Sequence, residues 1–157
     1  MVMTPFSMVS VPITGRVISP PLSWVKDVDA LVEHHKPIDI SDAWIVFFPR
    51  ESGALNALPL EKLGSLTEQA NPTIKYFSGT AMYNNTLAIP ANALGIGKHL
   101  FLRELAQVTL NGHDLGKLWS APFVIDITKV VRAENNELKV RVTNAWHNRL
   151  VGEALKP

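Results

Sequence analysis

The stretch Val108-Thr109-Leu110-Asn111-Gly112-His113-Asp114-Leu115-Gly116-Lys117-Leu118-Trp119 decides the fold. Asn-Gly supplies the two positive φ angles that a type I′ turn needs, and apolar runs stand on either side of it. Val108 to Leu110 and Asp114 to Leu118 are therefore expected to pair as a two-residue β-hairpin. Moving outward, Ala106 to Leu110 extends the first arm. Phe123-Val124-Ile125-Asp126-Ile127 reads as another strand, and Asn135-Asn136 turns the chain into Glu137 to Asn144. In that last segment Leu138, Val140 and Val142 share one face while Lys139, Arg141 and Thr143 share the other, a period of two with one core face and one wet face.

Upstream, His99 to Arg103 reads as a strand, and Lys75 to Leu87 as a long one interrupted at Gly79. Trp44-Ile45-Val46-Phe47-Phe48 is a strand stopped by Pro49, which cannot donate to a ladder. Residues 50 to 72 hold Gly53, Pro59, Gly64 and Pro72 among scattered leucines, and read as a long loop whose leucines pack partly onto the body. Short strands at this spacing, without alternating helices, predict an all-β antiparallel sandwich. Residues 41–157 form the sandwich on this reading. Residues 1–40 carry Pro5, Pro12, Pro20, Pro21 and Pro37 and form an N-terminal segment packed on the sandwich or leading into it. Within that segment Trp24, Val28, Leu31 and Val32 recur at helical spacing, with Ser23 available as a cap, so a short helix is expected there.

The bulk properties exclude several functions. A chain of 157 residues fits one domain and buries roughly 70% of its unfolded surface, enough for a core without staples. Fifteen basic against fourteen acidic residues give a net charge of +1, far from the basic stripe that nucleic acid requires. With no cysteine, disulfides, thiolate catalysis and thiolate metal sites are excluded. No apolar run approaches the ~20 residues that span a bilayer. Met1 to Val11 lacks a basic n-region and an unbroken apolar h-region, so no signal peptide is read there; the compartment is left open. The histidines at 34, 35, 99, 113 and 147 show no metal-ligand spacing, no acidic loop suited to calcium is visible, and no cofactor is expected.

Candidate chemistry is sparse. No G-x-S-x-G elbow exists, and Ser78 in Phe77-Ser78-Gly79 reads as a small residue beside a glycine kink. Glycoside hydrolysis needs two carboxyl groups about 5 to 9.5 Å apart, one with a raised pKa; Asp114, Asp126 and Glu104 are the candidates. Carbohydrate recognition needs an aromatic face for the sugar ring and amide, carboxylate or guanidinium groups for its hydroxyls. Trp119, Trp146, His147, Asn148, Arg149 and Asp114 offer that mixture. The competing reading makes Trp44, Trp119 and Trp146 packing residues between the sheets.

Three blocks carry a family resemblance. Lys75-Tyr76-Phe77-Ser78-Gly79-Thr80-Ala81-Met82-Tyr83, the block from Leu110 to Trp119, and Val142-Thr143-Asn144-Ala145-Trp146-His147-Asn148-Arg149-Leu150-Val151-Gly152 resemble, in content and order, the C-terminal β-sandwich of α-L-rhamnosidase-like glycoside hydrolases. The run from Asn111 through Trp146 is more distantly similar to the sugar-binding domain of β-galactosidase-type enzymes. The resemblance covers residues 41–157 and implies a jelly-roll sandwich of the galactose-binding-like class. It also implies a non-catalytic module, because the family's catalytic carboxylates belong to a separate barrel domain. Two positions depart from the family pattern: Leu66 stands where a tryptophan is usual, and Glu153 where Asp is common. The expected partners are a carbohydrate, a catalytic domain or a second copy, with neither nucleic acid nor membrane. The alternatives are a purely structural sandwich and a small stand-alone glycoside hydrolase.

Overall fold

The computed structural model describes residues 7–12, 37–53, 56–96, 98–103, 107–117, 124–144 and 154. The short helix expected around Trp24 lies outside them. The regular structure of the described residues is mainly strand: Ser7–Pro12 (β1), Ile38–Asp39 (β2), Asp42–Phe47 (β3), Ala57–Lys62 (β4), Gly79–Leu87 (β5), Lys98–Arg103 (β6), Gln107–Leu110 (β7), His113–Lys117 (β8), Val124–Asp126 (β9) and Asn136–Asn144 (β10). They form a four-stranded sheet in the order β2-β1-β6-β9 and a six-stranded sheet in the order β4-β3-β5-β10-β7-β8. Every pairing is antiparallel.

The alternation in the strands explains why the two sheets close on each other. Trp44 and Val46 of β3, Ala81, Tyr83 and Leu87 of β5, Val108 and Leu110 of β7, and Leu138 and Val140 of β10 point inward from the large sheet. Met8 of β1 and Leu100 and Leu102 of β6 belong to the same buried cluster from the small sheet. Removing each of the Val, Leu and Met side chains from water stabilises the fold by about 1.5–3 kcal/mol. Trp44 is 1% exposed, packs edge-on against Tyr83 and donates its indole N–H to the Ile40 carbonyl at 2.7 Å. It is a core residue.

The hairpin expected at Asn111-Gly112 is present. β7 and β8 pair with Leu110 opposite His113, and Asn111 and Gly112 have φ of 51° and 82°. The turn before β10 also stands where the sequence places it, with Asn135 at φ 54°. Beside both turns lies a polar clasp that no local pattern announces. The side-chain oxygen of Asn136 accepts from the Arg132 N–H at 2.7 Å and the Asn111 amide at 2.9 Å. Its side-chain nitrogen donates to the carbonyls of Arg132 and Leu87 at 2.7 and 3.2 Å. Asn111 in turn donates to Val130 O at 2.7 Å and accepts from Glu137 N at 3.0 Å. Asn136 is fully buried with its amide capacity filled, as buried polar groups require.

Two expectations need correction. Residues 50–72 are not one long loop, because Ala57–Lys62 forms β4 and pairs with β3. Pro59 made the segment look like a breaker, but β4 is an edge strand, where a missing N–H is tolerated. Leu58, Leu60, Leu63 and Leu66 are half-buried or buried, as expected. The segment from Lys75 is likewise not a strand interrupted at Gly79. Pro72–Lys75 (α1) is one helical turn, with Pro72 in its first turn and the Asn71 side chain capping Thr73 N at 2.9 Å, and β5 begins at Gly79. Gly79 has φ 138°, and a Cβ there would stand 3.3 Å from the Phe77 ring. At the N-terminus, β1 is an inner strand of the small sheet, a strand the sequence reading does not place.

Candidate functional site

The pairing register gathers several strand termini at one end of the six-stranded sheet. Asn144 at the end of β10 faces Gly79 at the start of β5, and Gln107 at the start of β7 faces Lys117 at the end of β8. Trp119 follows β8 in sequence, and Trp146, His147, Asn148 and Arg149 follow β10, so both candidate segments continue from strands that finish at this end. These five residues themselves lie outside the described residues. Around the same end the Thr80 and Thr143 hydroxyls are 2.9 Å apart. Lys75 Nζ lies 5.6 Å from the centre of the Tyr76 ring, with Tyr76 half-buried.

Asp114 stands apart from that group. It sits next to the Asn111-Gly112 turn, three residues and about 10 Å along β8 from Lys117. Its carboxylate accepts from Gly116 N at 2.8 Å and from the Gln107 amide at 3.5 Å. These contacts make it a brace for the tight backbone before Gly116.

A second polar cluster lies on the small sheet. β6 and β9 pair with Phe101 opposite Asp126, which brings His99 Nδ1 to 2.9 Å from Asp126 Oδ2. The other carboxylate oxygen accepts from Thr128 N at 2.9 Å and from the Thr128 hydroxyl, and that hydroxyl accepts from Leu100 N at 2.9 Å. The His99 ring stacks near Phe101 at 6.3 Å. Burial pushes the Asp126 carboxyl upward, but the hydrogen bonds from Thr128 and His99 and the charge of His99 outweigh it, leaving Asp126 below the usual aspartate value. A general acid must hold its proton near neutral pH; Asp126 is arranged to lose it. Asp114 and Asp126 belong to different sheets, each tied into its own turn, and Glu104 lies outside the described residues. The His99–Asp126 pair is hidden from sequence inspection because its partners are 27 residues apart and meet only through the β6–β9 register.

The outer face of the six-stranded sheet is the other feature sequence reading did not assemble. With Trp44 and Val46 buried, Ile45 and Phe47 point outward and are 43% and 41% exposed. The register sets Ala57, Phe47, Met82, Arg141 and Gln107 in one row across five strands. It sets Pro59, Ile45, Asn84, Lys139 and Thr109 in the next. One half of the face is apolar; the other carries amides, a hydroxyl and cations. Among the described residues, no group of three or more His, Asp or Glu could hold a metal ion, and no helix is long and apolar enough to cross a membrane.

No protein-family model matches the chain. A protein of Formosa agariphila named as a beta-glucuronidase is 39% identical over 127 residues, which is 78% of this chain and 11% of that protein. A solved rhamnosidase from Novosphingobium sp. PP1Y has a similar fold, with a TM-score of 0.63 and 40% identity over 73% of this chain and 11% of that one. The chain therefore spans about a tenth of the length of each of these relatives. It is similar to one part of larger proteins that are named as glycoside hydrolases.

Proposed function

We propose that the chain is a non-catalytic accessory module of a glycoside-hydrolase-type protein, equivalent to the C-terminal jelly-roll sandwich of the galactose-binding-like class, and that it holds carbohydrate. The observation that carries this reading is the pair of matches at 39% and 40% identity, each confined to 11% of a much longer protein named for glycosidase activity. The convergence of the β8 and β10 termini supports a sugar contact beyond that end of the sheet, with Trp119 and Trp146 as the aromatic surface and His147, Asn148 and Arg149 as hydroxyl partners. The non-catalytic reading is supported by the carboxylates: the lowered pKa of Asp126 does not suit a general acid, and Asp114 lies in the other sheet, bracing a turn.

Affinity on such a surface is modest, on the order of micromolar or weaker, because desolvating a hydrated sugar offsets most of the contact energy. Calorimetric titration with rhamnosides, galactosides and plant polysaccharides tests the reading. Saturable binding lost in Trp119→Ala or Trp146→Ala, with no nitrophenol released from aryl glycosides, is the expected result. Silence with every sugar at millimolar concentration refutes the binding claim, and turnover by the purified chain refutes the non-catalytic one.

A further inference from the structure

We propose a second carbohydrate site on the outer face of the six-stranded sheet, suited to an acidic, uronate-containing glycan, with Phe47 and Ile45 as the platform and Arg141 as the carboxylate partner. It rests on the reading of the chain as a carbohydrate-holding module but uses outer-face residues of β3, β5 and β10, none of which is among Trp119, Trp146, His147, Asn148 and Arg149.

Contiguous exposed apolar surface is where proteins meet ligands and partners, and Ile45 and Phe47 are both more than two-fifths exposed on one strand. Met82 of β5 stands directly beside Phe47, and Ala57 and Pro59 of β4 flank it on the other side. The thioether adds a deformable surface at the edge of the aromatic ring. A flat apolar strip of this kind suits the C–H face of a pyranose.

Charge then selects the class of sugar. Next to Met82 in the same row is Arg141, which is exposed and makes no ion pair or hydrogen bond among the described residues. The other charges nearby are already engaged. Lys139 pairs with Glu137 at 2.8 Å, and Asp114 is tied to Gly116 and Gln107. Arg141 is thus a cation without a partner among the described residues beside the apolar half, while the exposed Glu61 lies on β4, three strands away. Its planar fork is built for bidentate contact with a carboxylate. Adjacent strands are about 4.8 Å apart, so Phe47 and Arg141, two strands apart, place a ring platform and a carboxylate clamp about 10 Å from each other along one row. That arrangement fits a chain whose neighbouring rings present first an apolar face and then a carboxylate.

The test is a titration of the full chain with a galacturonate hexamer and with its methyl ester, which keeps the shape and removes the charge. The acid form is expected to bind saturably, the ester at least tenfold more weakly, with binding falling as salt rises. Arg141→Gln and Phe47→Ala should each weaken the acid form at least fivefold, and Arg141→Lys less. Both face residues are exposed, and unchanged thermal melting confirms that the variants fold. Equal binding of acid and ester, or indifference to Arg141→Gln, overturns the site. A sedimentation shift to a dimer abolished by Phe47→Ala also overturns it, since the face would then be covered by a second copy. Loss in Trp146→Ala alone overturns this site and leaves the module reading intact; no binding of any carbohydrate removes both.

Discussion

The two ends of the six-stranded sheet are built differently. At the end holding Asn111 and Asn136, two buried or half-buried amides link β5, β7, β10 and the 130–132 segment through six side-chain hydrogen bonds of 2.7 to 3.2 Å. At the opposite end, where β8 and β10 finish, the described polar contacts are exposed and few, such as the Thr80–Thr143 hydroxyl pair. Satisfied buried networks specify one arrangement and tolerate little change, while exposed loop-bearing ends can vary without loss of the fold. The difference separates a part of the molecule that fixes the sheet from a part with fewer described constraints.

The largest effect is expected at Asn136. Asn136→Ala strands Arg132 N and the carbonyls of Arg132 and Leu87, and should cost about 3 kcal/mol in urea unfolding, with sugar binding by the remaining folded protein unchanged. Gly79 probes the backbone of the opposite end. Gly79→Ala places a Cβ 3.3 Å from the Phe77 ring at φ 138°, and should cost about 2 kcal/mol in the same measurement.

Asp126 gives a smaller, pH-dependent effect. Its folded pKa is lowered, so its stabilisation is complete above the unfolded value of about 3.9 and disappears as pH falls through the folded one. Wild type should therefore exceed Asp126→Asn in stability at pH 6, and the gap should close on acidification below that range. The pair is partly exposed, so solvent screening keeps the gap modest. Thr143→Val should change stability by less than about 0.5 kcal/mol; a larger loss would show that the open end is also wired into the fold.

What the sequence discloses follows from the range of the signals. The Asn111-Gly112 hairpin and the alternation of Leu138, Val140 and Val142 are local, and both stand in the structure. β4 was obscured by Pro59, because a proline reads as a breaker until the strand is known to be at an edge. The Asn136 clasp, the His99–Asp126 pair and the Phe47–Met82–Arg141 row depend on strand register between segments far apart in the chain, which periodicity cannot supply. Of the candidate ligand residues, Asp114 is explained by its own turn, and Trp119, Trp146, His147, Asn148 and Arg149 lie outside the described residues.

The most direct test of the central claim combines binding and turnover on one sample of the 157-residue chain. Calorimetric titration with rhamnose-, galactose- and uronate-terminated oligosaccharides should give saturable heats for at least one class while product analysis of the same mixture finds the glycan intact. Cleaved glycan, or no heat with any class at millimolar concentration, would contradict the account.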